Sequence, residues 1–477
     1  MSTENLALLT DFYELTMMGG YFECGKLEQR AVFDLYFRRV PQEGAFCVAA
    51  GLEPALDYLV NLRFTPDDLA YLRAQNLFSD GFLEWLKSFR FRGDVYALPE
   101  GTLVFPGQPL LRVEASLPEA QLIESLLLNV INFQTLIATK AARVYEASGE
   151  GTVLEFGLRR AQGVDGAMSA SRAAYIGGCQ ATSNTLAGQR YGIPTRGTMA
   201  HSWVMSFPSE LEAFRAYARA YPGDCTLLVD TYDTLESGIP NAIRVGHEMR
   251  AEGLALKGIR LDSGDLAYLS KQSRKLLDQA GLSEVKIVAS SDLDEFIISD
   301  LRSQGARIDI WGVGTNLVTS KGEPALGGVY KLVAAEEHGR MVPRIKVSSN
   351  PAKITLPGIK QIYRGVAADG TLLGDVLALA EERFPADGPV KSGHPLYAHV
   401  LRDIQAERWE PLLGPVLKGG ERVYRSPELA HIRQRTLASL ASLRAEHKRQ
   451  VNPDLYWAGI SNALYDLRKD LLGRALV

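Results

Sequence analysis

Four short apolar runs, centred on Leu228, Ile259, Ile287 and Ile310, succeed one another at intervals of roughly 20–30 residues. Between them lie stretches with turn residues or helical periodicity. In "LAYLSKQSRKLLDQAG", Leu266, Leu269, Leu276 and Leu277 fall on one helical face, with Gly281 at the expected stop. A strand followed by a helix, repeated, demands parallel pairing through right-handed crossovers, which places the chain in the α/β class. An earlier run, "TVLEFGLRR", belongs to the same rhythm. Each run ends in polar or glycine residues: Glu155 and Arg159; Asp230 and Asp233; Arg260, Asp262 and Asp265; Ser290, Ser291 and Asp292; Gly312, Gly314 and Thr315. In a β/α barrel these ends share one mouth, where catalytic groups gather. A doubly wound sheet has the same local pattern, so spacing alone leaves both architectures open.

The barrel-like rhythm starts near residue 152, and 477 residues exceed one ordinary domain. Upstream, "TDFYELTMMGGYF" reads as a helix, with Asp11 and Glu14 in a loose capping-box pattern and Phe12, Leu15, Thr16 and Gly19 on one face. "AVFDLYFRRVP" reads as a strand, and "GDVYALPEGTLVFPGQPLLRVEA" as β-rich segments broken by turns. A helix is expected over residues 118–145. Its apolar stretch is interrupted by Glu124, Asn129, Asn132, Gln134 and Lys140, which suits a buried helix and not a membrane span. The segment "ERVYRSPELAHIRQRTLASLASLRAEHKR" reads as helical cover for the first domain.

A net charge of −4 with no basic block argues against a nucleic-acid or anionic-membrane partner. Cys24, Cys47, Cys179 and Cys225 lack CxxC spacing, as expected of reduced thiols. The first residues lack a secretory pattern, and the expected location is the cytoplasm.

Four stretches carry chemistry. "DIWGVGTN" is a strand and a glycine turn whose backbone N–H groups can approach a phosphate, although such turns are equally common as plain turns. "GIRLDSGDL" crowds Arg260, Asp262, Ser263 and Asp265 at one strand end. The arginine can grip a carboxylate or phosphate and the aspartates a ribose or Mg²⁺, or the set can be an ion pair with a helix cap. "EFGLRRAQG" sets Arg159 and Arg160 after a strand, suited to a polyanion. "GTMAHSWV" offers His201 beside Ser202 in a glycine-opened loop, as a structural histidine or as a nucleophile or acid–base group.

With "LLTDFYELTM", "FQTLIATKAARV" and "DIWGVGTNLVT…PALGGVYKLV", these stretches run in order from residue 8 to about 333, and together they resemble the nicotinate phosphoribosyltransferase family. The resemblance implies an irregular β/α barrel of the type II phosphoribosyltransferase kind, plus an α/β sandwich domain built from both chain ends. The corresponding segments are residues 1–145, 146–345 and 346–477, the last returning to the sandwich. The implied reaction joins nicotinate to phosphoribosyl pyrophosphate (PRPP), giving nicotinic acid mononucleotide with coupled ATP hydrolysis. ATP is a co-substrate, Mg²⁺ a cofactor and the protein a homodimer.

By the same resemblance His201 is the histidine that ATP phosphorylates. Tyr13 stacks on the ring across the dimer, Arg260 meets the nicotinate carboxylate, and Thr198 makes a second nicotinate contact beside Ser202. Arg159 binds phosphoribosyl or carboxylate, and Gly312, Gly314 and Thr315 cradle the 5-phosphate. Asp262 is placed at the ribose or the magnesium–pyrophosphate group, and no set of magnesium ligands is assigned. Alternatives are the same transfer to nicotinamide or quinolinate, a barrel lyase or aldolase using Lys140 or Lys331 as a Schiff base, and a non-catalytic binding protein.

Overall fold

A computed structural model describes residues 5–397 and 399–475. The chain divides into two compact units, Met1–Leu136 with Ala325–Val477, and Ile137–Pro324.

The second unit answers the question that spacing left open. Six parallel strands, Thr152–Glu155, Ala181–Thr182, Thr226–Leu228, Gly258–Leu261, Lys286–Ser291 and Ile310–Val313, form one sheet. Ile310–Val313, last in the chain, pairs with Thr152–Glu155, the first. From there each strand pairs with its chain neighbour, except that Ala181–Thr182 and Thr226–Leu228 are the two edges. A doubly wound sheet reverses strand order at a switch point. This cyclic order is that of a barrel opened along one seam. Buried Val153, Leu227, Leu228, Ile259, Leu261, Ile287, Ala289, Trp311 and Val313 fill the ladder.

The helix expected after the Gly258–Leu261 strand spans Leu266–Gln279, and Gly281 behind it has a φ of +70°. Its buried face is Leu266, Ala267, Ser270, Ser273 and Leu277. Leu269 and Leu276 flank that face half-buried, and its centre is made of the small side chains Ala267, Ser270 and Ser273.

The first unit is woven from both chain ends. A seven-stranded sheet runs Arg340–Pro343, Gly328–Glu337, Arg30–Phe37, Leu111–Ser116, Asp94–Ala97, Gly414–Lys418, Glu421–Arg422. A six-stranded sheet is built from residues between Lys360 and Ile460. The buried Lys360 ammonium, 2.9 Å from Asp34 Oδ2, joins the two sheets. The helix expected over 118–145 is two helices, Leu117–Leu122 and Glu124–Ser148. No helix among the described residues is long and apolar enough to cross a membrane. In the tail, Leu429–Ser442 is helical.

The first helix, Phe12–Glu23, departs from its expected packing. Glu14, Leu15 and Met18 form the buried face, while Phe12 is exposed. Asp11 is the N-cap residue but makes no side-chain capping bond. Both acids of the expected capping box turn instead to Ser125: its hydroxyl is 2.8 Å from Asp11 Oδ2 and 2.8 Å from Glu14 Oε1. A tertiary partner has displaced the local one.

Candidate active site

At the barrel mouth, Arg260, next to last in its strand Gly258–Leu261, is the hub of a polar web. Its Nε donates to Ser290 Oγ at 2.8 Å, and its Nη2 to Asp262 Oδ1 at 2.9 Å. Its Nη1 donates to Thr198 Oγ1 at 2.9 Å and to the Met199 carbonyl at 3.3 Å. A guanidinium has five N–H hydrogens; these four bonds leave one, on Nη2. The Ser290 hydroxyl also donates to Asp262. Burial alone would raise the Asp262 carboxyl, but the Ser290 hydroxyl, Arg260 and His201 together hold it below the usual aspartate range.

His201 opens the short helix His201–Met205. Its Nδ1 lies 3.1 Å from Thr231 Oγ1, and its Nε2 lies 3.8 Å from Asp262 Oδ2, too far for a hydrogen bond. The side chain is 40% exposed, open to a reactant. Trp203 anchors the segment: its indole donates to the Ala213 carbonyl at 3.1 Å and its ring packs on Phe207 and Tyr217.

Asp230 is the residue whose role the sequence did not assign. Its Oδ2 accepts from the Asp262 backbone N–H at 2.8 Å and from Ser263 Oγ at 2.7 Å, so it shapes the turn bearing Asp262. Its Oδ1 is buried and unpartnered. Asp230 Oδ1 and Asp262 Oδ2, the oxygens of these two carboxylates that make no hydrogen bond, are the ones that could meet a magnesium ion. Among the described residues no group of three or more His, Cys, Asp or Glu converges as a metal site.

The neighbouring strand ends complete the rim. Buried Glu155 accepts from the Gly157 N–H, from Ser171 Oγ at 2.9 Å and from Thr182 Oγ1 at 2.5 Å. It thereby fixes the turn that leads to Arg159, which is exposed on Leu158–Arg160. Gly312 is required by contact: an added Cβ would lie 2.7 Å from the Phe156 ring and 3.3 Å from the Ser290 Cβ. At Gly314 it would lie 3.0 Å from the Phe156 carbonyl oxygen. Thr315 begins the turn of helix Thr315–Val318.

The structure therefore joins Thr198, His201, Arg260 and Asp262 in one hydrogen-bonded and electrostatic web, with Gly312 at its edge through Ser290. Arg159, Gly314 and Thr315 stand on the same rim around Phe156–Gly157. Ser202 is exposed and outside the web, and Tyr13 belongs to the other unit. Thr231, Asp230, Ser290 and Glu155 are the additions. The last three were visible as strand-end polar residues, while Thr231 had no signal beyond adjacency to Asp230.

The Schiff-base lysines fail on placement. Lys140 is buried 2.7 Å from Glu295 Oε2, on a helix and not a barrel strand, and Glu295 also meets Arg143. Lys331 lies on an antiparallel strand of the first unit.

The chain matches the nicotinate phosphoribosyltransferase N-terminal domain over residues 8–132 and the corresponding C-terminal domain over residues 359–468. It is 47% identical to nicotinate phosphoribosyltransferase of Bacillus subtilis, over 96% of this chain and 93% of that protein. To the Homo sapiens enzyme of the same name it is 37% identical, over 97% and 96%. The crystal structure of human nicotinic acid phosphoribosyltransferase superposes with a TM-score of 0.85 at 35% identity, covering 97% of this chain and 99% of that one. A nicotinate-nucleotide pyrophosphorylase from Pyrococcus furiosus, 22% identical with a TM-score of 0.71 over 93% and 98%, shares the fold. Strand order, mouth chemistry and these matches along nearly the whole length agree, and the chain belongs to the nicotinate phosphoribosyltransferase family.

Proposed function

We propose that this protein transfers the phosphoribosyl group of PRPP to nicotinate for NAD salvage, releasing pyrophosphate, and couples the transfer to hydrolysis of ATP. The observation that carries the reading is the Arg260 hub at the barrel mouth, with Asp262 and His201 beside it, in a chain of this family.

The pyridine nitrogen is already a nucleophile. It bonds to C1 of the ribose as the C1–O bond to pyrophosphate breaks and pyrophosphate leaves with the electron pair. The site therefore needs positioning and charge compensation more than a strong base. Arg260 offers its remaining Nη2 hydrogen to the nicotinate carboxylate, with the Thr198 hydroxyl next to it. Asp262, held ionised, faces the positive charge that builds on the ribose. Magnesium, when bound with pyrophosphate, supplies neutralisation of the leaving group. Arg159 and the Gly312–Thr315 turn take the ribose 5-phosphate. His201 takes a phosphoryl group from ATP, adding negative charge beside Asp262. Tyr13 stacks on the pyridine ring across a homodimer, and the enzyme works in the cytoplasm.

The test offers nicotinate, nicotinamide and quinolinate separately with PRPP and Mg²⁺, with and without ATP. Mononucleotide from nicotinate, faster with ATP and accompanied by ADP, is the expected outcome. Product from nicotinamide or quinolinate alone would overturn the assignment of Arg260 to a single carboxylate. An ATP-independent rate would remove the coupling.

A further inference from the structure

The segment around Tyr13 is held by an unusual set of bonds in the first unit. Glu14 is wholly buried. Its Oε1 accepts from the Ser125 backbone N–H at 3.1 Å and lies 2.8 Å from Ser125 Oγ. Its Oε2 contacts Thr10 Oγ1, which is also 3.0 Å from the Leu122 carbonyl oxygen. Ser125 Oγ is 2.8 Å from Asp11 Oδ2 and accepts from the Asp11 N–H at 3.1 Å. Residues 10, 11 and 14 are thus clamped to the junction of helices Leu117–Leu122 and Glu124–Ser148, with Tyr13 between them.

A count of hydrogens favours the neutral form of this clamp. Thr10 has one hydroxyl hydrogen and two oxygen neighbours, the Leu122 carbonyl and Glu14 Oε2. Ser125 likewise has one for Asp11 Oδ2 and Glu14 Oε1. With Glu14 ionised, two of these oxygen–oxygen contacts lack a hydrogen. With Glu14 neutral, its own O–H donates to Thr10 Oγ1, Thr10 donates to Leu122, Ser125 Oγ donates to Asp11, and the Ser125 N–H serves Glu14 Oε1. One oxygen–oxygen contact then still lacks a hydrogen, Ser125 Oγ to Glu14 Oε1, and Glu14 Oε1 accepts from the Ser125 N–H.

The Thr10 and Ser125 hydroxyls favour the ionised carboxylate, but burial and the neighbouring acids outweigh them. Asp11 in the preceding loop, Glu124 on the adjoining helix and Tyr13 face Glu14. Tyr58 and Tyr330 are near enough to feel its charge, and the Tyr330 hydroxyl donates to the Ala120 carbonyl at 2.9 Å. The nearby cation, Lys331, is half-buried and pairs with Glu124 at 4.0 Å. Burial, chiefly, pushes Glu14 up to about 7. The Tyr13 hydroxyl is pushed upward too, by burial and then by Glu124 and Glu14, while its side of the helix stays exposed.

We propose that Glu14 is a proton-dependent positioning residue: its neutral form closes the clamp that sets the direction of the Tyr13 ring, and its ionisation loosens that clamp and weakens hold on the pyridine substrate. The inference rests on Tyr13 being the ring-stacking residue.

The experiment measures nicotinate KM and kcat from pH 6 to pH 9 for the wild type, Glu14→Gln and Tyr13→Ala. The amide of Glu14→Gln mimics the neutral acid at every pH. For the wild type, KM is expected to rise several-fold, with its midpoint near neutrality, while kcat changes much less. Glu14→Gln should keep the low-pH KM throughout. A wild-type KM that is flat across the range, or a Glu14→Gln profile matching the wild type, would overturn the role of Glu14. If Tyr13→Ala raises KM while Glu14→Gln keeps the wild-type profile, the ring reading stands and the coupling falls. If Tyr13→Ala leaves KM unchanged, the ring reading itself falls. Unfolding by denaturant at each pH is the second readout, since it follows the Glu14 proton without reference to substrate. Wild-type stability that does not fall relative to Glu14→Gln between pH 5 and pH 8 would also sink the proposal.

Discussion

Four of the five N–H hydrogens of Arg260 are directed at protein oxygens, so this guanidinium is oriented before any ligand arrives. Its replacement by alanine removes a charge-assisted contact and frees Asp262 and Thr198 to rearrange. For Arg260→Ala, kcat/KM for nicotinate is expected to fall by the equivalent of about 1.5–3 kcal/mol; steady-state kinetics giving a wild-type value would take Arg260 out of the site. The His201 ring bonds to Thr231 Oγ1 and meets the arginine web only through its charge on Asp262, at 3.8 Å, with no hydrogen bond to it. His201→Ala is therefore expected to retain transfer activity and lose its stimulation by ATP, read as the ratio of rates with and without ATP. The residue types at the mouth were legible because side chains at strand ends must be polar there. Their partners were not: Thr198 and Ser290 reach Arg260 from 62 and 30 residues away, a pairing that depends on closure of the sheet and leaves no local trace.

Among the elements, the first helix shows where local reading fails. Asp11 and Glu14 have the spacing of a capping box, yet Ser125, 111 residues beyond Glu14, claims them. This arrangement has a thermodynamic signature. Glu14 titrates near its ordinary value of 4.5 when unfolded and at about 7 when folded, so the native state binds the extra proton between those values. Stability therefore falls as pH rises through that window, by on the order of 3 kcal/mol, and levels off above it. Denaturant titrations of the wild type against Glu14→Gln should show the difference opening from pH 5 and reaching a constant by about pH 8. Strands and the long helix fared better in the sequence, since alternating runs and apolar periodicity report burial directly. The leucine face of Leu266–Gln279 was only half right, because periodicity names the side of a helix and not which residues touch the sheet.

For the whole molecule, the sequence carried the existence of the parallel strands but not their cyclic order, which lies in which strand meets which. The order places the two ends of the barrel ladder at Ala181–Thr182 and Thr226–Leu228. Beyond the first of these lies an isolated bridge from Thr182 to Thr195. The segment that crosses between the two ends carries Thr198 and His201. Hydrogen exchange should find the amides of residues 197–208 less protected than those of the central strands Lys286–Ser291 and Ile310–Val313, which are paired on both sides. Equal protection would contradict this picture. A hoop cut at one point is stiff everywhere but at its cut. Opening the seam breaks no hydrogen bond between its two bordering strands, so the circumference of the mouth can change on the side where His201 stands while the strand ends bearing Arg260, Ser290 and Gly312 keep their spacing.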